Sequence, residues 1–341
     1  MDALLLPLVI LIIASVFQGT FGLGMKYVKP MAWEAWWLIH ATVAMVVFPL
    51  CWALLVVPDL FGVLTNAPTN ELVTGSLLGF LWGIGGIMFG VSVGYIGMSL
   101  TYGIVMGSCA VSAAIISMLR NFSDLSGGAI TFMCLGLGLF AVAVIIVTKA
   151  GLMRDKFLAE AGKEIQGIAQ GAAFKKGLII AVVCGLLSAM LAIGFENTEQ
   201  VGELAKEAGA IERNSALARW VVVLVGAYLM NAGYALILLI KNGTLGSFGV
   251  EGGMKVIKWA VISGLLWFAA LGTYGQAVAL LGSIGTMIAW PVMLGLSLIV
   301  SNIVAVMTGE WKGAGGAMKI MVGGVVLIVG ATALMTYTTT L

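Results

Sequence analysis

The sequence predicts an all-α integral membrane protein whose ten transmembrane helices form two inverted five-helix repeats. Three observations lead to this prediction. Hydrophobic residues make up 61% of the 341 residues and charged residues only 9%, whereas a soluble domain carries about 25% charged residues. Apolar runs recur along the whole chain, and about 20 such residues suffice to cross a bilayer. One pair of these runs also repeats a second pair at a fixed offset.

Breaks in the apolar pattern place the ten predicted helices. They cover residues 4–23, 33–57, 72–96, 99–119, 129–148, 177–195, 217–240, 256–281, 284–307 and 319–337. The first run follows Met1 and Asp2 without a positively charged segment or a small-residue cleavage site, so we expect a true helix rather than a signal peptide. Little more than Gly97 separates the third helix from the fourth, and little more than Gly282 separates the eighth from the ninth.

An internal repeat with an offset of 185 residues aligns the third and fourth helices with the eighth and ninth. The matched pairs are Gly79 and Gly264, Leu81 and Leu266, Trp82 and Trp267, Phe89 and Tyr274, Gly90 and Gly275, Val93 and Val278, Gly97 and Gly282, Thr101 and Thr286, and Ser112 and Ser297. The repeating unit is five helices, and because five is odd the second copy crosses the membrane in the opposite direction. Inverted repeats are typical of transporters that bind a solute near the midplane.

The repeat also predicts the division of the chain. We expect residues 1–150 to form the N-terminal five-helix repeat and residues 176–341 the inverted C-terminal repeat. The polar stretch 151–175 between them is predicted to be a cytoplasmic linker.

Lysine and arginine residues fall mainly on one side of the predicted membrane. Thirteen of the 17 basic residues lie at loops on the side of Lys26 and Lys149, and the positive-inside rule makes that side cytoplasmic. Both termini are then periplasmic, and we expect the protein in a bacterial inner membrane. The acidic stretch 196–212 lies outside, as a short surface helix or as a solvated loop.

Cysteine and histidine do not form the pattern of a metal site. All four cysteines lie inside apolar runs, which suits free thiols used as small packing residues better than disulfides. His40 is the single histidine of the chain, and no cluster has the spacing of zinc ligands. The sequence shows no pairing of nucleophile and base that would favour a membrane enzyme, and no basic patch that would favour a nucleic-acid partner.

Two tryptophans mark the candidate solute site. Trp82 and Trp267 are equivalent in the repeat and lie near the middle of their helices, where a ring N–H needs a polar neighbour or a hydrated cavity. They are either large core residues or the aromatic wall of a solute site. Further candidate substrate-binding residues are polar or aromatic groups inside the spans: Gln18, Ser112, Ser188, Tyr274, Gln276 and Trp290. Each alone favours a hydrogen bond between helices, but together they indicate a small neutral polar solute.

Glycine and proline mark unusual backbone in three helices. A run of glycines on one face of the third helix predicts close helix packing along a seam where helices can slide. The run comprises Gly79, Gly83, Gly86, Gly90, Gly94 and Gly97. Pro291 follows Trp290 and lacks a backbone donor, so it is predicted to interrupt or kink the ninth helix, as Pro49 is for the second.

Several blocks of residues occur in a distinctive order along nearly the whole chain. They are Trp33-Glu34, Trp82-Gly83-Ile84-Gly85, Tyr95-Ile96-Gly97-Met98-Ser99, Lys175-Lys176-Gly177, Cys184-Gly185, Ser188-Ala189, Trp267, Trp290 and Glu310-Trp311. In order and spacing they resemble the L-rhamnose–proton symporter family of the drug/metabolite transporter superfamily. Met31 replaces the first tryptophan of the family's Trp-x-Trp-Glu block. Gly86 and Ala270 replace a family Asn and Gln, and two family histidines are missing from the eighth and ninth helices.

The resemblance implies the ten-helix drug/metabolite transporter fold and proton-coupled uptake of L-rhamnose or a related deoxyhexose. The proton would be the coupling ion, with no further cofactor. A proton-coupled exporter of a small metabolite or drug is the alternative. The four replaced polar positions bear on the identity of the substrate rather than on the fold.

Three ionisable residues are candidates for proton coupling: Glu34, Glu196 and His40. Glu34 ranks first because it belongs to a block that resembles the family, although a carboxylate there also favours a helix N-terminus. Glu196 ranks second and could equally open the acidic stretch. An unperturbed histidine has a pKa of about 6.5, which suits a proton relay, but His40 could simply pack with one hydrogen bond.

Overall fold

The computed structural model describes residues 2–160 and 171–341, whose regular structure is helical. The longer helices are α1 Asp2–Thr20, α2 Trp33–Thr42, α3 Phe48–Val56, α5 Thr69–Ile96, α6 Met98–Arg120, α7 Gly127–Glu160, α8 Gly171–Glu196, α10 Ser215–Lys241, α11 Gly253–Leu281, α12 Gly285–Met307 and α13 Gly315–Tyr337. Two short helices lie between them, α4 Leu60–Asn66 and α9 Glu199–Glu207. A 3₁₀ segment, Phe21–Tyr27, follows α1.

In the described part of the chain, nine segments are long and apolar enough to cross a membrane. One of them, Gly253–Met307, contains both α11 and α12, and the segment Trp33–Val56 contains α2 and α3. Each of the ten predicted spans therefore coincides with a helical segment, and the all-helical membrane class is confirmed. Large apolar side chains face outward, as a lipid environment requires, and Leu55 is 84% exposed.

The two shortest connections are made at glycines with left-handed backbone. Gly97 separates α5 from α6 at φ 76°, and Gly282 ends α11 at φ 72°. A side chain with a Cβ rarely adopts these angles, so glycine allows one apolar run to turn directly into the next. The predicted breaks at both positions are confirmed.

Pro49 and Pro291, the two prolines predicted to break their helices, have different effects on the backbone. Ahead of Pro49 the chain forms a π-helical segment, Val43–Val47, which joins α2 to α3. Pro291 lies inside α12, which continues through it as one helix from Gly285 to Met307. The predicted interruption at Pro291 is therefore absent, because the loss of one backbone donor is tolerated within a packed membrane helix.

Part of the predicted polar linker is helical. α7 continues to Glu160 and α8 begins at Gly171, while residues 161–170 lie outside the described residues. Charged side chains extend α7 beyond the apolar run, with Lys156 Nζ 3.9 Å from Glu160 Oε1 one turn later. The acidic stretch after α8 contains the short helix α9, in agreement with the surface-helix alternative.

The helices divide into two compact units. The first unit comprises residues 1–83 and 190–285, and the second comprises residues 84–189 and 286–341. In the first unit α1 packs along α11, and α10 packs against both α2 and α11. In the second unit α7 packs against α6 and α13. Each unit combines helices from both predicted repeats, so packing groups the chain differently from the repeat.

The glycine run of α5 serves close packing over only part of its length. A Cβ on Gly79 would collide with the backbone oxygen of Val223 on α10, and a Cβ on Gly83 would lie 2.7 Å from Cβ of Met230. Gly86 and Gly90 have no atom within 4 Å of such a Cβ. The predicted seam is therefore present at Gly79 and Gly83 and is not formed at Gly86 or Gly90.

All four cysteines are free thiols. Cys109 and Cys184 are buried, and Cys51 and Cys134 are exposed. The two buried thiols act as small packing residues, as the sequence suggests for all four.

Candidate functional site

The two tryptophans that the repeat singles out contact each other in the first unit. The ring centroids of Trp82 on α5 and Trp267 on α11 are 5.4 Å apart, with an interplanar angle of 34°. Trp267 is only 6% exposed and Trp82 is half-buried. The sequence placed both rings at equivalent depths but did not predict their contact.

A group of aromatic rings surrounds His40, which lies on α2. We call Phe21, Trp36, Trp37 and Trp267 the aromatic cage. The imidazole stacks on Trp36 and on Trp37, each at a centroid distance of 5.1 Å. It meets the ring of Trp267 edge-on at 6.5 Å. His40 itself is 1% exposed, so the cage encloses the only histidine of the chain.

The spacing of residues on α2 builds one side of the cage. Trp33, Trp36, Trp37 and His40 recur at intervals of three, one and three residues, so they share one face of the helix. Trp33 also stacks on Trp37 at 5.3 Å. Close approach of α11 supplies the other side, since a Cβ on Gly264 would lie 3.0 Å from the His40 carbonyl oxygen. The helical spacing was visible in the sequence, whereas the approach of α11 was not.

Polar groups on α10 line the same region. The indole Nε1 of Trp37 donates to Asn231 Oδ1 at 3.1 Å, and Asn231 Nδ2 donates to the carbonyl of Ala227 at 2.8 Å. The hydroxyls of Thr42 and Tyr228 lie 3.3 Å apart. Amide and hydroxyl groups therefore accompany the aromatic rings, which is the combination that an uncharged polar solute requires.

Glu34, the first proton-coupling candidate, is bound to the loop that follows α10. Its Oε1 accepts hydrogen bonds from Asn242 Nδ2 at 3.0 Å and from Thr244 Oγ1 at 2.6 Å. The residue is 6% exposed and lies in the first turn of α2. These contacts fix the start of α2 against the end of α10.

Glu196, the second candidate, ends α8 beside a buried arginine. Arg219 Nη2 donates to the carbonyl of Phe195 at 2.7 Å, and its guanidinium lies 4.0 Å from the centre of the Phe195 ring. Arg219 is 9% exposed. Arg219 is one of the four basic residues assigned to the outer side, and it lies inside α10, where the Phe195 carbonyl and ring compensate for its burial.

Three other candidates of the first unit lie outside the aromatic cage. Tyr274 packs against Phe195 and Trp220 at centroid distances of 6.0 and 6.1 Å. Gln276 Nε2 donates to Asn214 Oδ1 at 3.0 Å. Gln18 on α1 is half-buried, and its Oε1 has no hydrogen-bond partner among the described residues.

The remaining candidates lie in the second unit, where they make local contacts. Ser112 Oγ donates to the carbonyl of Ser108 one turn earlier on α6. Ser188 Oγ lies 3.9 Å from the Cys184 sulfur, and Trp290 Nε1 donates to the Cys109 sulfur at 3.4 Å. Hydrogen bonds within or between helices, the alternative that the sequence left open, occur at all three positions. Among the described residues, no group of three His, Cys, Asp or Glu side chains could hold a metal ion.

Fold and composition define a multi-pass, all-helical membrane protein. Similarity to known protein families narrows the class to a transporter. Residues 1–338 match the family model described as L-rhamnose-proton symport protein, RhaT. The chain belongs to this family, whose members are proton-coupled sugar symporters and not enzymes. The family resemblance drawn from the sequence blocks is thereby confirmed.

Similar proteins match over almost their entire length. The L-rhamnose-proton symporter of Cronobacter sakazakii is 28% identical over 335 residues, and that of Citrobacter koseri is 27% identical over 332 residues. The L-rhamnose-proton symporter of an Escherichia coli strain is 26% identical over 332 residues. In each case 94% of this chain and 94% of the relative are covered.

A crystal structure of another protein shares the fold. The two chains superpose with a TM-score of 0.58 at 14% sequence identity, and the match covers 98% of this chain and 96% of the other. This likeness extends over all ten helical segments and is a likeness of fold alone.

Proposed function

We propose that this protein takes up a monosaccharide, L-rhamnose or a related deoxyhexose, together with a proton across a bacterial inner membrane. Membership of the symporter family gives the reaction class. The observation that favours a sugar is the contact of Trp82 with Trp267, together with the Asn231 amide that accepts from Trp37 of the aromatic cage. Aromatic faces suit the apolar faces of a pyranose ring, and amide and hydroxyl groups suit its hydroxyls.

The proposed binding residues are those singled out in the sequence. Trp82 and Trp267 form the aromatic wall, while Gln18 offers an acceptor without a described partner. The remaining proposed substrate-binding residues are Tyr274, Gln276, Ser112, Ser188 and Trp290. Glu34, Glu196 and His40 are the proposed proton-coupling candidates.

The proposed architecture is two inverted five-helix repeats with both termini in the periplasm. Support for the repeat comes from Gly97 and Gly282, which are equivalent in the 185-residue offset and share a positive φ. The excess of basic residues on one side supports the orientation. Residues 1–150 and 176–341 form the repeats in this proposal, and residues 151–175 connect them in the cytoplasm.

Counterflow in proteoliposomes tests the function. Vesicles loaded with unlabelled sugar are diluted into a trace of the labelled sugar, and transient uptake of label reports exchange by the carrier. We expect counterflow with L-rhamnose or another deoxyhexose and not with a disaccharide. An inward proton gradient should then drive accumulation of the same sugar. Exchange of apolar amines without any response to monosaccharides would favour the exporter instead.

A further inference from the structure

The aromatic cage places an ionisable group directly against the proposed sugar-binding rings. His40 lies on α2 immediately before the π-helical segment Val43–Val47. π-helical segments inside α-helices frequently occur at functional sites. Trp267 contacts His40 on one side and Trp82 on the other, at centroid distances of 6.5 and 5.4 Å. A change at the imidazole therefore has a direct path of contact to both tryptophans.

The surroundings of His40 suit an imidazole that changes its charge. Its ring forms a hydrogen bond with the backbone of Ala260 on α11. The buried Nδ1 has no hydrogen-bond partner among the described residues, so one nitrogen is available for a proton or for a hydroxyl group. The electron-rich faces of Trp36 and Trp37 would attract an imidazolium, and such contacts strengthen when water is excluded.

The charged groups on the neighbouring elements form no described ion pair with His40, so the aromatic cage would have to stabilise a protonated imidazole. The titratable and charged side chains on the 3₁₀ segment, α2, α10 and α11 are Lys26, Tyr27, Glu34, Arg219, Tyr228, Tyr234, Lys241, Lys255, Lys258 and Tyr274. None of the described ion pairs involves His40. A proton on the imidazole would therefore be stabilised by aromatic faces and not by a fixed carboxylate, and it can leave without breaking a salt bridge.

We propose that His40 is the proton-coupling residue. The charge state of its imidazole acts on sugar binding through Trp267, which contacts both His40 and Trp82. This inference rests on the proposed function. The proton forms one N–H bond at Nδ1, which makes the ring a monocation. Its release to water on the other side restores the neutral ring. Glu34 is less suited to the role because Asn242 and Thr244 both donate to its carboxylate.

Thermodynamic linkage gives the sign of the effect. If the protonated cage binds sugar more tightly, then bound sugar must increase the affinity of His40 for its proton by the same factor. Above the titration midpoint, sugar affinity should fall about tenfold for each pH unit until the neutral form dominates binding. Both partners then cross the membrane together, because each favours the state loaded with the other.

One experiment uses the wild-type protein and the fact that the chain has a single histidine. Protein labelled with ¹³C-histidine and purified through a histidine-free tag should give one imidazole signal. We expect this signal to titrate with pH, and L-rhamnose to move the midpoint to higher pH. A midpoint that a transported sugar leaves unchanged would overturn the inference, as would a histidine whose signal does not titrate while the protein stays folded.

A second experiment uses transport by H40Q, which removes the titration and keeps a polar side chain. In proteoliposomes, H40Q should lose proton-driven accumulation, and the sugar counterflow that it retains at saturating sugar should no longer change with pH. The matched control is N66Q, an exposed site on α4, which should accumulate sugar like the wild type. Wild-type accumulation by H40Q would overturn the assignment, and loss of accumulation only in E34Q would transfer it to Glu34. Wild-type protein that exchanges no sugar would instead overturn the proposed function.

Discussion

The two tryptophans between α5 and α11 provide the most direct residue-scale prediction. Replacing either Trp82 or Trp267 by Phe reduces the area of the aromatic surface while keeping an apolar ring. Because an aromatic contact contributes about 0.5–1.5 kcal/mol, we expect sugar affinity to fall about twofold to thirteenfold. Equilibrium binding of labelled sugar to purified protein measures this loss, and the thermal unfolding midpoint should change little.

Trp52 offers a control for that comparison. It stacks on Phe48 at 5.5 Å and packs against Gly272 in the same unit, but it is not part of the aromatic cage. W52F should therefore bind sugar like the wild type. If W52F and W267F lowered sugar affinity equally, the effect would come from general packing. The proposal that Trp82 and Trp267 form an aromatic wall would then be wrong.

Arg219 supports a second prediction at the residue scale. Its guanidinium both stacks on the Phe195 ring and donates to the Phe195 carbonyl, and a lysine ammonium cannot reproduce this planar geometry. Since hydrogen bonds that involve a charged group contribute about 1.5–3 kcal/mol, R219K should lower the thermal midpoint measurably. Arg213 is exposed, so R213K is the matched control, and an equal midpoint for both variants would contradict this role.

The crossing of α5 and α10 depends on glycines from both helices. A Cβ on Gly79 would meet the carbonyl of Val223, and a Cβ on Gly226 would meet the carbonyl of Ser76. G79A and G226A should therefore force the helices apart and destabilise the protein by about 1–3 kcal/mol. Because Gly90 has open space around it, G90A should keep the wild-type midpoint in a thermal scan. A midpoint lowered equally by all three variants would contradict this packing.

Elements were more predictable from the sequence than their contacts. The exclusion of polar groups from lipid marks every span, and the requirement for positive φ marks Gly97 and Gly282. Periodicity alone could not tell which glycines of α5 face a neighbour, so Gly86 and Gly90 were assigned to a seam they do not form. The aromatic cage around His40 was missed because it requires α11 to approach α2.

At the scale of the whole molecule, the two compact units do not coincide with the two proposed five-helix repeats. The first unit joins residues 1–83 to residues 190–285, so it draws on both proposed repeats. Trp82 and Trp267 are equivalent in sequence, and both belong to this unit, whereas Gly97 and Gly282 are divided between the units. The two tryptophans of the candidate site therefore belong to one packing unit, although they come from different proposed repeats.

The proposed orientation of the whole chain in the membrane rests on the distribution of basic residues. In the proposed topology thirteen basic residues belong to the cytoplasmic side and four to the opposite side. Arg219, one of the four, is buried inside α10, which leaves Arg120, Lys206 and Arg213 at that surface. The proposed periplasmic termini rest on this asymmetry.

Cysteine labelling in intact spheroplasts tests this orientation at the C-terminus and at two loops. In a background that lacks the exposed Cys51 and Cys134, a cysteine added after Leu341 should react with an impermeant thiol reagent, because periplasmic groups are accessible without lysis. Arg213→Cys lies on the same predicted side and should also react. Glu251→Cys, in the exposed loop before α11, should react only after lysis. The reverse pattern would place the termini in the cytoplasm and invert the proposed topology.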